Sequence, residues 1–172
     1  MNLYLIRHAD AADLEPGDSR EDSERPLTDA GRNQCAALAA ALRARKVELN
    51  QVVSSPLLRA RQTVEALLEH WPAPAPEQLT CNRLAPGGKA KKITRFLLGL
   101  SGENVALVGH MPDLGEYLGW LIGAKKAEVH LAKAGAALVR FDGSPAKGEG
   151  VLEWLITPEW CDAAARKADV DQ

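Results

Sequence analysis

Residues 3–8 of the chain read LYLIRH, and they predict the first strand of the fold. The apolar run from Leu3 to Ile6 is too short for a helix and is typical of a fully buried strand. It ends at two polar side chains, Arg7 and His8. In sheets of parallel strands, ligands bind beyond the carboxyl ends of the strands. We therefore expect Arg7 and His8 to lie at a sheet edge where a ligand binds.

Strands and helices alternate along the rest of the chain. Thr28 is a candidate N-cap for a helix whose apolar residues recur at spacings of three and four, giving one buried face. The further predicted elements are a strand at 51–54, a helix capped by Ser55, a helix over 93–100, a strand at 104–108, a helix that Pro112 opens, and two late strands at 136–141 and 151–156. The late strands form either a hairpin or the edge of a mixed sheet. This order predicts a three-layer α/β/α sandwich with a mainly parallel central sheet and one antiparallel edge strand.

Composition excludes several classes of protein. The chain has 172 residues, of which 46% are hydrophobic and 26% charged, so we expect residues 1–172 to form a single globular domain. A net charge of −2 provides no positive field for a nucleic acid partner. The apolar stretches are far shorter than the roughly 20 residues that span a bilayer, so no membrane association is expected. Three widely spaced cysteines fit no disulfide framework and favour a cytoplasmic protein.

Polar side chains follow three of the predicted strands. Arg7 and His8 follow the first strand, Arg59 lies just beyond the second, and His110 follows the strand at 104–108. Helices that start at such positions favour an anion, and the planar fork of an arginine matches phosphate oxygens. A neutral imidazole can attack phosphorus, while a second histidine shares or transfers protons. The sequence therefore predicts a covalent phosphoryl-transfer site that needs no metal and no cofactor.

Three motifs of this chain resemble those of the histidine phosphatase superfamily, which includes the phosphoglycerate mutases. They are LIRHA at residues 5–9, SSPLLRARQT at 54–63 and VGH at 108–110. The resemblance implies a phosphoglycerate mutase-like fold, with His8 as the nucleophile and with Arg7 and Arg59 binding the phosphoryl oxygens. It also implies that His110 completes the pocket by hydrogen-bonding the phosphoryl group and stabilising the transition state.

Two departures from the family pattern bear on the site and the substrate. Ala9 stands where the first motif usually has glycine, which requires only a backbone conformation that alanine can adopt. Residues 79–88 contain no carboxylate where mutases and many phosphomonoesterases carry a glutamate proton donor, and Met111 stands where the acid phosphatases carry theirs. A general acid accelerates departure of an alkoxide by about 10²- to 10⁴-fold, whereas phosphohistidine releases an imidazole that is protonated on its far nitrogen. The missing acid therefore favours a P–N substrate.

The short chain and its motif pattern resemble the small bacterial SixA-type branch of the superfamily. This resemblance implies a phosphohistidine phosphatase whose partner is a histidine-phosphorylated protein, either a phosphotransfer domain or a phosphocarrier. Two alternatives stay open: a small-molecule phosphomonoesterase or mutase on the same scaffold, and a noncatalytic phosphohistidine-binding module. We expect the protein to be a monomer.

An acidic segment between the first strand and the first helix allows two interpretations. Residues 13–24 contain six carboxylates, and such a run is most often a solvated loop. Alternatively, one of the carboxylates reaches the site as a proton donor or water activator. Asp18 is the first candidate for that role.

Overall fold

The computed structural model describes residues 1–124 and 127–161, in which one sheet is flanked by helices. The strands are β1 (Asn2–Arg7), β2 (Gln51–Ser54), β3 (Glu77–Thr80), β4 (Asn104–Gly109), β5 (Ala136–Arg140) and β6 (Val151–Ile156). The α-helices are α1 (Asp29–Ala44), α2 (Leu58–Leu68), α3 (Ala90–Leu97) and α4 (Asp113–Leu121), and short 3-10 helices occupy Asp22–Glu24 and Asn82–Leu84.

The six strands form a mixed sheet in the order β3-β2-β4-β1-β5-β6. The first four of these run parallel, whereas β5 is antiparallel to both β1 and β6. The predicted α/β sandwich with a mainly parallel sheet is confirmed. The sequence predicts that the antiparallel strand lies at the edge of the sheet. The structure places this strand, β5, one position inside the edge, because β6 pairs with its outer side. The two late strands are thus both an antiparallel pair and the edge of the mixed sheet.

Alternate side chains of β1 belong to two different cores. Leu3 and Leu5 pack with α3 and α4 on one face of the sheet, whereas Tyr4 and Ile6 pack with α1 and α2 on the other. Successive side chains of a strand point to opposite faces, so a strand that is apolar throughout must be covered on both sides. This covering accounts for the three layers.

The predicted starts of two helices have different outcomes. Thr28 caps α1 as predicted, since its hydroxyl accepts a hydrogen bond from the backbone N–H of Gly31 at 3.0 Å. The prediction that Ser55 caps α2 is wrong, because the N-cap position of α2 is Leu57. The Ser55 hydroxyl instead accepts from the Leu57 N–H at 3.3 Å and also contacts a histidine of the site described below.

Strand β3 is not predicted from the sequence. Three of its four residues are exposed, so it lacks the alternation of apolar and polar residues that marks a half-buried strand. It forms because β2 presents unpaired backbone groups on that side, and residues 77–80 pair with them in parallel register. Across the described residues, no helix combines the length and the apolar character that crossing a membrane requires.

Gly31 allows α1 to pack closely on the chain that follows β1. A Cβ at this position would lie 2.1 Å from the carbonyl oxygen of Asp10. Asp10 also accepts hydrogen bonds from the backbone N–H and the hydroxyl of Thr28, at 3.1 and 2.7 Å. The first turn of α1 is therefore packed against the segment that leaves the end of β1.

We expect Gly31→Ala to destabilise the protein. Alanine is the better helix former by about 1 kcal/mol, but its methyl group would overlap the Asp10 carbonyl, and such overpacking costs roughly 1–3 kcal/mol. The measurement is the free energy of unfolding in urea. Gly143→Ala is the matched control, since a Cβ there meets nothing within 4 Å and its unfolding free energy should change little. A Gly31→Ala variant as stable as the wild type would contradict the close packing.

Candidate active site

The pairing of β1 with β4 places two histidines side by side. Arg7 and Gly109 are register partners at the carboxyl ends of these parallel strands, and the backbone N–H of His8 donates to the Gly109 carbonyl at 3.0 Å. His8 and His110 are therefore the next residues on adjacent strands. Their ring centroids are 5.1 Å apart. Residues that are 102 positions apart in the sequence thus share one site, as their strand-end positions predicted.

A backbone contact determines which nitrogen of His8 carries the proton. The Nδ1 atom of His8 lies 2.7 Å from the carbonyl oxygen of Ala9. A carbonyl oxygen only accepts hydrogen bonds, so Nδ1 must be the protonated nitrogen that donates. In the neutral ring, Nε2 then carries the lone pair. This is the tautomer that a nucleophilic attack through Nε2 requires.

Two arginines provide positive charge beside the histidines. Arg59, on the first turn of α2, is 5% exposed, and Arg7 donates from Nη1 to the carbonyl oxygen of Leu131 at 2.9 Å. Both guanidinium groups act electrostatically on His8 and on His110. Among the residues that the structure describes, the Nε atoms of Arg7 and Arg59 have no hydrogen-bond partner. The site therefore combines cationic groups with unpaired N–H donors, as an oxyanion ligand requires.

Burial and the arginines keep both histidines neutral. The pKa of His8 is lowered to about 4, mainly by burial and also by the charges of Arg59 and Arg7, while the hydrogen bond to Ala9 acts in the opposite direction. Burial also lowers the pKa of His110 to about 3, with His8 and Arg59 acting in the same direction. The cause is that a charged imidazole loses its hydration in the interior and is repelled by neighbouring cations. A lone pair on His8 is thus available throughout the neutral pH range.

Ser55 contacts His110 in a way that the sequence did not reveal. Its hydroxyl, which is fully buried, lies 2.8 Å from Nε2 of His110. The backbone N–H of Ser55 donates to the Val108 carbonyl at 2.9 Å, which anchors the end of β2 to β4. Ser55 therefore orients the His110 ring. Ser55 belongs to the motif at 54–63, but its position before Pro56 predicts a helix cap and gives no sign of a contact with His110.

Thr63 connects the end of β1 to α2. Its hydroxyl oxygen accepts from the backbone N–H of Ala9 at 3.0 Å and donates to the carbonyl oxygen of Arg59 at 2.7 Å. Arg59 and Thr63 are one helical turn apart, so the same face of α2 carries the guanidinium and holds the residue after His8. Thr63 is fully buried. It positions two parts of the site relative to each other.

The acidic loop reaches the site through Asp22 rather than through Asp18. Both carboxylate oxygens of Asp18 accept from the side chain of Arg20, whose hydrogen bonds lower the pKa of the Asp18 carboxyl. The Asp22 carboxylate instead accepts from Arg59 Nη2 at 3.0 Å, and the Asp22 carbonyl accepts from Nη1 at 2.6 Å. Burial opposes ionisation of Asp22, but hydrogen bonds from Arg25 and Arg59 hold its pKa below the ordinary value. The structure therefore gives Asp18 no contact with the four site residues, and it keeps Asp22 ionised.

Lys133 adds a further positive charge that sequence spacing gave no reason to expect. Its ammonium lies 2.6 Å from the carboxylate of Asp10, and it lowers the pKa of His8. Lys133 is 125 residues from His8 in the sequence and lies in a loop without a motif. Within residues 1–124 and 127–161, no group of three or more His, Cys, Asp or Glu side chains is arranged to hold a metal ion.

Comparison with known proteins identifies the family of this site. The family model of the histidine phosphatase superfamily (branch 1) matches residues 3–80. The phosphohistidine phosphatase SixA of Escherichia coli strain K12 is 31% identical over 171 residues, which cover 98% of this chain and 99% of that protein. The chain belongs to the histidine phosphatase superfamily. The family prediction from the three motifs is therefore confirmed.

Solved structures of histidine phosphatases agree with this assignment. A structure of the protein histidine phosphatase SixA complexed with tungstate has a TM-score of 0.79 and 28% identity, covering 95% of this chain and 99% of that one. The α-ribazole phosphatase of Shigella flexneri has a TM-score of 0.68 at 18% identity, covering 92% of this chain and 97% of that one. The second likeness shows the fold alone. Relatives of this fold thus include phosphatases of different substrates.

The stability of this histidine phosphatase should depend on pH through His8 and His110. Unfolding restores their ordinary pKa of 6.5, so between pH 6.5 and 4 the unfolded state binds protons that the folded state does not. The free energy of unfolding should therefore fall as pH is lowered through this window. His8→Gln should reduce that fall, by on the order of 3 kcal/mol at most.

The measurement is a set of urea unfolding curves for wild type and His8→Gln at half-unit pH steps. Between pH 7 and 9 neither histidine titrates, so the two proteins should show the same slope of stability against pH there. Identical slopes between pH 6.5 and 4 would show that His8 is not held neutral by its surroundings.

Loss of the Ser55 hydroxyl should reduce catalysis without unfolding the protein. Ser55→Ala removes the hydrogen bond to His110, worth about 1–1.5 kcal/mol, together with the longer one from the Leu57 N–H. Because the His110 ring then loses its partner, we expect kcat to fall about ten-fold with phosphoramidate as the substrate. Ser54→Ala is the matched control, because Ser54 is also a buried residue of the same motif, but its hydroxyl makes no hydrogen bond among the described residues. Equal kcat values for the two variants would contradict a positioning role for Ser55.

Proposed function

We propose that the protein hydrolyses phosphohistidine on a partner protein through a covalent phosphohistidine formed on His8. The observation that carries this proposal is the 2.7 Å hydrogen bond from His8 Nδ1 to the Ala9 carbonyl. It leaves Nε2 as the basic nitrogen of a ring that is neutral at physiological pH. A neutral imidazole with a directed lone pair is a competent nucleophile toward phosphorus.

The charges of the site support a phosphoryl group as the reacting centre. Arg7 and Arg59 would bind the phosphoryl oxygens, and preorganised cationic donors of this kind stabilise charge that develops in the transition state. His110 would donate to the same group or share its proton, in the orientation that Ser55 maintains. The tungstate complex of the related SixA supports this assignment, because tungstate is also a tetrahedral oxyanion.

Each step of the proposed reaction is balanced by groups in the site or on the substrate. Nε2 of His8 forms a bond to phosphorus as the P–N bond of the substrate breaks, and the electron pair of that bond goes to the departing imidazole. The far nitrogen of the departing imidazole already carries a proton, so it leaves as a neutral ring. Water then attacks the phosphorus as the bond to Nε2 of His8 breaks. The electron pair of that bond returns to Nε2, the protons of the water leave with the inorganic phosphate, and His8 is again neutral with its proton on Nδ1.

The substrate class is inferred from the ionised state of the nearby carboxylates. Asp18 is paired with Arg20, and Asp22 is held ionised by Arg25 and Arg59, so neither is suited to protonate an alkoxide. The segment at 79–88 contains no carboxylate. Phosphohistidine can be hydrolysed without a general acid, because its leaving group is an imidazole rather than an alkoxide. Asp18, the proton donor considered from the sequence, is therefore not part of the proposed site. We propose that the catalytic residues are His8, Arg7, Arg59 and His110.

The proposed reaction takes place in a single domain that uses no metal. We propose that residues 1–172 act as one domain and as a monomer, without a metal or other cofactor. The two arginines and Lys133 repel a cation from the position beside His8. Cys35 and Cys81 are buried thiols, which is consistent with action in a reducing cytoplasm.

Substrate preference tests the proposed function. We expect a histidine-phosphorylated phosphotransfer domain and phosphoramidate to be hydrolysed readily, aryl phosphates weakly, and alkyl phosphates at least about 10²-fold more slowly, because no group protonates an oxygen leaving group. The measurement is kcat/KM across this series, with rapid-quench trapping of acid-labile phosphate on the enzyme. His8→Ala should show neither turnover nor label.

Two outcomes would contradict the proposal, and they differ in meaning. Efficient hydrolysis of an alkyl phosphate, comparable to that of the phosphoprotein, would favour a small-molecule phosphomonoesterase or mutase on this scaffold. Binding of the phosphoprotein without release of inorganic phosphate in a single turnover would indicate a phosphohistidine-binding module instead. Label that persists in His8→Ala would show that another residue is the nucleophile.

A further inference from the structure

Positive charge is concentrated in one segment of an otherwise acidic chain. Residues 78–102 contain five Lys or Arg and no Asp or Glu, whereas the whole chain has a net charge of −2. We refer to this set of side chains as the basic rim; its members are Arg83, Lys89, Lys91, Lys92 and Arg95. All five are exposed. The proposed chemistry uses none of them.

The first part of the basic rim lies at the sheet edge that carries the active site. The chain leaves β3 at the same edge as β2, where the Cys81 N–H donates to the Ser54 carbonyl at 2.9 Å, one residue before Ser55. Further along, the Gly87 N–H donates to the carboxylate of Asp113 at 2.9 Å, three residues after His110. Helix α3 starts at this edge and continues away from it. Arg83, Lys89 and the lysines of the first turn of α3 are therefore on the margin of the site.

The charges of the basic rim are not neutralised by the protein itself. In the described part of the chain, none of the five forms an ion pair. Arg83 lies over the ring of Phe96, 6.0 Å from its centroid, which leaves its charge unpaired. The arginines of the acidic loop behave differently. Arg20 pairs with Asp18, and Arg25 pairs with Asp13 and Asp22. Unpaired surface cations next to a site attract an acidic partner and direct its approach.

We propose that the basic rim is a docking surface for an acidic face of the histidine-phosphorylated protein, placed beside the phosphohistidine. This inference rests on the proposed function, since it concerns the partner that presents the phosphoryl group. The docking face determines KM for the protein substrate and leaves the chemical step to His8 and its neighbours. A small substrate that contacts only the pocket does not use the basic rim.

The position of the acidic loop favours a protein over a nucleic acid or a membrane. The loop packs against α2 on one face of the sheet, through the contact of Asp22 with Arg59, whereas the basic rim belongs to α3 and its preceding turn on the other face. The active site thus lies between an acidic and a basic margin. A nucleic acid backbone or an anionic bilayer is uniformly negative, so the acidic margin repels it. A protein can match both margins with opposite charges.

The test uses three histidine-phosphorylated peptides of equal length, in which glutamate, glutamine or lysine residues flank the phosphohistidine on one side and uncharged residues flank it on the other. Wild-type enzyme should turn over the glutamate-flanked peptide with the highest kcat/KM, mainly through a lower KM. That advantage should shrink between 50 and 300 mM salt, because exposed charges are screened. Phosphoramidate, which has no flanking residues, provides the reference for the chemical step.

Charge reversal in the basic rim identifies the surface responsible. The double variant Lys91→Glu, Lys92→Glu should lower kcat/KM for the glutamate-flanked peptide at least ten-fold and raise it for the lysine-flanked peptide. Its turnover of phosphoramidate should stay within two-fold of wild type. The matched control is Lys46→Glu, Lys147→Glu, which makes the same change of charge with exposed residues at the opposite edge of the sheet. This control should leave all four substrates within two-fold.

The possible failures of the two proposals can be told apart. Equal kcat/KM for the three peptides, or equal losses of kcat/KM in both double variants, would overturn the proposed docking surface. If phosphoramidate were still hydrolysed, the proposed phosphatase function would stand. Loss of peptide preference combined with rim-dependent binding to single-stranded RNA or to phosphatidylserine vesicles would assign the surface to that polyanion and also overturn the proposal. Wild-type enzyme that turns over none of the four substrates would overturn the proposed function, and the docking inference with it.

Discussion

The pairing of β1 with β4 sets the geometry of the whole site. Parallel strands in register deliver their next residues to the same edge, so His8 and His110 become neighbours once Arg7 is paired with Gly109. A shift of one residue in this register would also exchange the side chains that face the two cores. Because β1 is apolar on both faces and is covered on both, the cores enforce the register that the site requires.

The histidines are maintained in a reactive state by burial that is combined with positive charge. His8 is 8% exposed and His110 is 3% exposed, so protonation of either ring would place a cation in the interior next to two guanidinium groups. The same guanidinium groups are favourable for an anionic ligand. The surroundings therefore disfavour positive charge on the histidines and favour negative charge on the bound ligand. The proposed phosphoryl transfer requires both conditions.

A second group of residues keeps the catalytic side chains in place without belonging to the proposed chemistry. Ser55 holds the ring of His110, Thr63 links the residue after His8 to α2, and Asp22 occupies the end nitrogens of Arg59. Two of these contacts start from the motif at 54–63, so a single strand-to-helix segment supports both halves of the site. Asp22 belongs instead to the acidic loop, whose charge is opposite to that of the basic rim on the other face. The asymmetry of the margins is what makes a protein partner the favoured occupant.

The amino-acid sequence alone is enough to predict the family, the order of most elements, the strand-end positions of His8 and His110, and the place of Arg59 just beyond the second strand. Apolar runs and helix spacings are local properties, and each depends on residues within a few positions of one another. Only the tertiary structure showed that β5 lies inside the edge, that β3 joins the sheet, and that Ser55 contacts a histidine instead of capping α2. It alone placed Asp22 rather than Asp18 on Arg59 and brought Lys133 to His8. These features depend on contacts between segments that are far apart in the sequence. Packing in three dimensions decides which side chains meet, and such contacts leave no periodic pattern in the amino-acid sequence.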